Sequence, residues 1–320
     1  MTDRISLDVH AHLAPVFPDG LAAIAGVSWD VAAGTMTVDG HTIGIKPLFK
    51  PEALIAWMDE NGVEHAWISI PPPLYRPELR GDAARAWAAY VNDGLSKIAA
   101  AHPRRFSPLP HLPLQEPALA AEIARDVIAR GHNRFAAPSG GNGDQVLSDP
   151  AFAPLWQALD AARAFVFFHP GECADGRLDA FYLSNLVGNP YESAVALSHL
   201  VFGGVLETHP AIRFCFAHGG GALPMLAGRL EQGFTTARPG IRTGGRAPRA
   251  LLKSICVDCI VHDEQALALS EAVFGAEHVV FGSDWPFPMG VLKPHQHIAD
   301  AARRRRIFCD NPDRLKKETT

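Results

Sequence analysis

The residues best placed to do chemistry come in a pattern. His10 and His12 close the apolar run Ile5-Ser-Leu-Asp-Val-His-Ala-His12, one residue apart. Side chains alternate along a β-strand, so both imidazoles would share a face and could grip one metal ion. Three later apolar runs end in the same way: His169 closes 165–169, His218 follows 212–217, and Asp284 follows 279–283. Several imidazole nitrogens with one carboxylate oxygen suit zinc or another borderline divalent ion, and a catalytic site of this kind keeps one position open for water or substrate. Alone, each residue has a plainer use. His169 before Pro170 could satisfy local backbone, His218 before three glycines could be a bystander in a turn, and Asp284 could cap a helix. Such endings at corresponding strand positions argue for one shared site.

Those endings converge only if the strands are parallel and adjacent. Short β-rich segments recur at 5–10, 65–70, 106–111, 134–137, 165–169, 212–217, 255–260 and 279–283, separated by helical periodicity that is clearest at 82–101, 115–131, 151–162 and 264–274. Eight such units predict an α/β fold of the (β/α)8 TIM-barrel type, which gathers the C-terminal ends of its strands round one opening. An open doubly wound sheet carries the same alternation. The segments at 106–111, which holds prolines, and at 134–137 are the weakest strands. Between the first strand and a helix near 51–61 lies an insertion, about 16–50, too long for a plain βα loop. Within it 27–31 and 35–38 alternate polar with apolar and Asp39-Gly40 offers hairpin-turn chemistry, so it reads as a small β-hairpin flap over the mouth. Residues 1–320 are expected to form a single domain with a frayed tail at 314–320.

Hydrophobic residues make up 48% and charged residues 20% of the chain, with a net charge of −5, which excludes a disordered chain and offers no basic surface to nucleic acid. The one basic run, Arg303 to Arg306, suits a solvated helix end. No basic-then-apolar leader and no apolar run of membrane-spanning length is found, so a cytoplasmic protein without membrane partners is expected. Five scattered cysteines make no disulfide scaffold, and Cys256-Val-Asp-Cys259, on a strand, would turn its thiols to opposite faces. Pro294-His295-Gln-His297 repeats the His-x-His spacing but opens a helix, where residues two apart diverge, so these read as surface histidines. His111 could edge the site, and Asp258 could orient a ligand histidine. His41, His65, His102, His132, His199, His209, His262 and His278 are expected to face solvent or end helices.

Together, Asp8-Val-His-Ala-His-Leu-Ala-Pro15, His169-Pro170, Asn185-Leu-Val-Gly-Asn-Pro-Tyr-Glu192, Phe216-Ala-His-Gly-Gly-Gly-Ala-Leu-Pro224 and Phe281-Gly-Ser-Asp-Trp-Pro-Phe-Pro-Met-Gly290 resemble the amidohydrolase superfamily. The branch they resemble is that of aminocarboxymuconate-semialdehyde decarboxylase and related aromatic-acid decarboxylases, and the resemblance covers nearly the whole chain. It implies a (β/α)8 enzyme with one divalent metal ion, zinc first and manganese second. His10, His12, His169 and Asp284 match the ligands, and His218 matches the acid/base histidine. It also implies a homodimer in which Arg238 reaches the neighbouring subunit's site to bind substrate.

Three features depart from the branch or narrow it. Thr42 stands where an insertion arginine would hold a substrate carboxylate, with Lys46, Arg76 and Arg80 as replacement cations, and Gly171 stands where a tryptophan is expected. The segment 134–138 lacks the lysine of binuclear members, which points to a single metal. The implied activity is non-oxidative decarboxylation of an aromatic or unsaturated carboxylic acid, a C–C lyase reaction in which the metal activates an oxygen, Asp284 accepts a proton and His218 transfers one. The alternative is a metal-dependent hydrolase of an amide, lactone or cyclic C–C bond. Either way the substrate is a small carboxylic acid or carbonyl compound.

Overall fold

A computed structural model describes residues 4–141, 145–171 and 173–319. The architecture is mixed α/β. Eight short parallel strands carry it: β1 (Asp8–His12), β2 (Ala66–Ser69), β3 (Phe106–Pro108), β4 (Arg134–Pro138), β5 (Phe165–His169), β6 (Arg213–Phe216), β7 (Cys256–Asp258) and β8 (Val279–Val280). They form a three-stranded sheet, β1-β2-β3, and a five-stranded one, β8-β7-β6-β5-β4. At one junction Ala136 bonds both neighbours across the gap, its N–H to the Pro110 carbonyl and its carbonyl to the Leu112 N–H, each at 2.9 Å. At the other the Val9 N–H donates to the Phe281 carbonyl at 3.1 Å and the His12 N–H to that of Trp285 at 2.9 Å.

Local chemistry explains why β3 is so short. Pro108 and Pro110 lack the donor that a central strand needs, so β3 stops early and its pairing with β4 is reduced to a bridge at His111. β8 spans only two residues, and the segment that continues it turns away at Asp284, which leaves the extended region at φ 54. Just before it, a Cβ on Gly282 would lie 2.8 Å from Asp258 Cβ and 2.9 Å from His10 Cβ, so glycine is what lets this segment approach both neighbours.

Each strand or its direct extension sends apolar side chains into one inner cluster: Leu7 and Val9, Trp67, Leu109, Ala136, Phe165 and Phe167, Cys215 and Ala217, Cys256, and Val280. Leu315 completes it, 2% exposed, from the C-terminal helix Asn311–Glu318. That corrects the expected frayed tail. Thr319 is also buried, and its carbonyl accepts from Arg134 Nη2 at 3.0 Å. A second, larger cluster lies between the strands and the helices around them. Helix Gly81–Ala101 buries Ala84, Trp87, Ala88, Val91, Leu95 and Ile98, spaced three and four apart on one stripe. Helix Glu264–Phe274 is capped by the Asp263 carboxylate, which accepts from Gln265 and Ala266 N–H at 2.8 Å each.

The inserted segment is a three-stranded antiparallel sheet, Val27–Asp30, Thr35–Val38 and His41–Ile43, one strand more than the expected hairpin. Asp39 (φ 50) and Gly40 (φ 84) make the two-residue turn between its second and third strands. Met36, Val38 and Ile43 anchor it in the core. Among the described residues no helix is long and apolar enough to cross a membrane.

Candidate active site

The strand ends bring His10, His12, His169 and Asp284 together: one nitrogen or oxygen from each lies within 4.8 Å of all the others. His10 and His12 share a face of β1, as alternation requires, and their Nε2 atoms are 3.0 Å apart. Asp284 Oδ1 sits 3.2 Å from His10 Nε2 and 3.1 Å from His12 Nε2. His169 Nε2 completes the set at 4.0 Å from the same oxygen.

The surrounding bonds fix which ring nitrogens are bare. His169 Nδ1 lies 2.9 Å from the Pro170 carbonyl, which can only accept, so Nδ1 carries the proton and Nε2 a lone pair. His10 Nδ1 donates likewise to Asp258 Oδ2 at 2.7 Å. His12 Nδ1 faces the Ser69 hydroxyl at 3.2 Å. With those protons on Nδ1, three lone pairs and a carboxylate oxygen point into one small buried volume. His169 Nε2 and Asp284 Oδ1 are buried and have no hydrogen-bond partner among the described residues. Such crowding of acceptors is costly unless a cation lies among them, and the donor set, three imidazoles and one carboxylate, is one a divalent ion accepts.

The charges agree with ligation. Burial lowers the pKa of His12, and burial with the neighbouring imidazoles holds His169 well below its ordinary value, so both present neutral rings. Burial opposes ionisation of Asp284, but His10, His12 and His218 outweigh it and keep the carboxyl well below the usual range. Burial also works against a charge on His10, yet the Asp284 and Asp258 carboxylates prevail and raise it to about 10. The two carboxylates call for a positive charge, which the His10 ring itself carries without a cation and gives up, freeing Nε2, when a cation takes that place.

His218 stands beside this set, with its Nε2 3.8 Å from Asp284 Oδ2 and its ring centroid 5.0 Å from that of His169. Like Asp284 it is held at positive φ, 56°. Non-glycine residues in this region carry strain and gather at functional sites. Asp258 steadies the turn: its Oδ1 accepts from the Gly219 N–H at 3.0 Å while its Oδ2 holds His10. One carboxylate thereby sets both the metal-facing ring and the turn that carries His218.

Sequence reasoning missed Asp8. It is fully buried, and its carboxyl accepts from Ser283 Oγ at 2.5 Å and from the N–H groups of Ser283 and His10 at 3.0 Å each, tying β1 to the Asp284 segment. Burial raises it to about 7. The signal was present, since Asp8, His10 and His12 alternate along one strand face. His262 is exposed, as expected, and also lines the main cavity. His295 and His297 are half-buried and bonded to the carbonyls of Asn61 and Cys259, at 2.9 and 3.1 Å, rather than free on the surface. Arg238 is not brought to the cluster within one chain. It lies on the exposed turn after helix Leu223–Thr235, donating to the Thr236 carbonyl at 2.8 Å.

A cavity of about 640 Å³ opens onto His169, His218 and Asp284, with Pro190, Met225, Leu269 and Phe287 among its apolar walls. A second of about 420 Å³ lies beneath the inserted sheet and shares Pro72, Pro73 and Gly171 with the first.

Fold and cluster define the class: an α/β enzyme whose polar residues converge at the C-terminal ends of parallel strands. The amidohydrolase family matches residues 7–315, and the chain belongs to that family. It is 31% identical to the 2-amino-3-carboxymuconate-6-semialdehyde decarboxylase of Dictyostelium discoideum, over 92% of this chain and 85% of that protein. Its fold matches the crystal structure of 5-carboxyvanillate decarboxylase from Sphingomonas paucimobilis with a TM-score of 0.81 at 21% identity, covering 98% and 99% of the two chains. A 5-carboxyvanillate decarboxylase from Novosphingobium aromaticivorans, solved with manganese and 4-hydroxy-3-methoxy-5-nitrobenzoic acid, matches at 0.80 and 22%, covering 99% and 97%.

Proposed function

We propose that this chain is a metal-dependent, non-oxidative decarboxylase, a C–C lyase acting on an aromatic or unsaturated carboxylic acid. The observation that carries the reading is the convergence of partnerless His169 Nε2 and Asp284 Oδ1 with the His10 and His12 nitrogens, beside an imidazole that is not among them. Relatives named as decarboxylases support it. His10, His12, His169 and Asp284 would hold one divalent ion, zinc or manganese. When bound, that ion polarises a substrate oxygen and acidifies its water. His218, on the cavity wall, delivers a proton to the ring or enol carbon bearing the carboxylate, which becomes tetrahedral and releases CO₂. Asp284 Oδ2, the oxygen nearer His218 at 3.8 Å, faces that imidazole, which takes its replacement proton from solvent after the transfer.

We read the eight strands as a closed (β/α)8 barrel forming a single domain, with the inserted sheet as a flap beside its mouth. The main-chain bonds at both junctions and the inner cluster drawn from all eight strands support closure. We also read the assembly as a homodimer in which Arg238 serves the partner's site. Phe181, Met225, Tyr182 and Tyr191, 88%, 80%, 61% and 55% exposed, supply apolar surface around the cavity mouth for such contact. All five thiols are unpaired, which suits the reducing cytoplasm. The test is a screen of aromatic and unsaturated carboxylic acids, amides and lactones with metal-loaded protein, following CO₂ release against ring opening. Ring opening or amide cleavage without CO₂ would replace this reading with the hydrolase one.

A further inference from the structure

We infer that the cavity beneath the flap is a second substrate subsite and that Arg76 is its specificity-determining residue, receiving a distal carboxylate of the substrate. This rests on the decarboxylase reading. The two cavities share Pro72, Pro73 and Gly171 in their walls, and at Gly171 an added Cβ would lie 2.5 Å from the Gly140 carbonyl oxygen. Arg76 follows Tyr75, whose ring lies 6.5 Å from that of His169, so the subsite borders the metal cluster.

The chain goes to some length to place this guanidinium. Arg76 is 7% exposed, held at φ 46, with its Cζ 5.0 Å from the Trp87 ring centroid. Nε and Nη2 donate to Asp39 Oδ2 and Oδ1 at 2.7 Å each, and Nη2 also to the Ala25 carbonyl at 2.9 Å. Gly26 makes room for the pair: a Cβ there would lie 2.4 Å from Asp39 Oδ1 and 2.8 Å from Arg76 Nη2. Nη1 is the one guanidinium nitrogen without a partner among the described residues, and Arg76 lines the cavity. A guanidinium locked along one edge and open along the other is preorganised to receive an oxygen acceptor.

Of the other charged groups on the wall, Glu78 is exposed and screened by water, and Asp39 pairs with one edge of the guanidinium and leaves Nη1 for a ligand; the exposed His41 lines the wall as well. Thr42, at the position where the resemblance implies an arginine, is exposed and faces the Thr37 hydroxyl at 3.1 Å. Lys46 and Arg80 are exposed and absent from both cavity walls. Arg76 is thus the replacement cation that the fold buries beside the site.

Isothermal titration of metal-loaded protein with benzoate and with isophthalate tests this. Wild type should bind isophthalate at least tenfold tighter, and Arg76→Met should remove that preference while leaving benzoate affinity within twofold. Arg76→Lys, which keeps the charge but loses the fork, should lose most of it and carries the test if the methionine variant does not fold. An undiminished preference in the variants, or none in wild type, overturns the inference. CO₂ release from no acid, with the Arg76-dependent preference intact, would count against the decarboxylase reading alone.

Discussion

His111 makes a quantitative test of the folded structure away from the metal. It lies at the β3–β4 junction, where its main chain is clamped by Asn92, with Oδ1 accepting from the His111 N–H at 2.7 Å and Nδ2 donating to its carbonyl at 3.1 Å. Its ring stacks on Tyr75 at 5.2 Å, and neither ring nitrogen has a partner among the described residues. Burial lowers it from 6.5 to about 3. The unfolded chain takes up a proton near pH 6.5 while the folded chain resists until about 3, so the stability tied to neutral His111 is complete above pH 6.5 and is lost as pH falls through that window. Each pH unit is worth about 1.4 kcal/mol, roughly 2 kcal/mol between pH 6.5 and 5. Urea unfolding of wild type and His111→Phe across that range measures it. The variant keeps the stack, and acid loss of metal is common to both proteins and cancels. The stability difference should move in favour of the variant by roughly 2 kcal/mol from pH 6.5 to 5. A constant offset would refute the placement of His111 in a dry, partnerless pocket.

His218→Asn should retain stoichiometric metal by elemental analysis but lose turnover by about 100-fold or more, the scale of a missing proton-transfer group; unchanged turnover removes it from the reaction. Asp258→Asn should weaken metal binding by about 10- to 100-fold in a chelator competition, because it loosens both His10 and the Gly219 turn. Full affinity in a folded variant would show that the histidine needs no such support. Arg238→Ala should impair turnover, and mixing it with a metal-site variant should restore part of it through hybrid dimers; confirmed subunit exchange without recovery rules out a shared site.

Much of this was legible in the sequence because period and position did the same work. His10 and His12 alternate on a strand, and His169, His218 and Asp284 end apolar runs, so a parallel arrangement had to bring them together. What stayed hidden was hidden for physical reasons. Asp8 looked like an ordinary strand residue because its partner, Ser283, is at the other end of the chain. The third flap strand, His41–Ile43, is too short and too exposed to show a period. Leu315 sits in a helix so polar that its one buried leucine gives no pattern, and the tail therefore read as frayed. Arg76 could be named among three cations but not chosen, because the choice depends on a flap turn and a glycine some 40 to 50 residues upstream.

The docking of Leu315 joins the C-terminal helix to apolar residues from both parallel sheets. The leucine arrives last in synthesis, after every strand it packs with, so the inner cluster is complete only when the chain is nearly finished. A shortened side chain there should open a void costing about 2–5 kcal/mol. The damage would be read at the strand ends, where His10, His12 and His169 depend for their aim on strands that pack into this same cluster. Enzymes of this build can therefore lose their metal through a lesion that never comes near it.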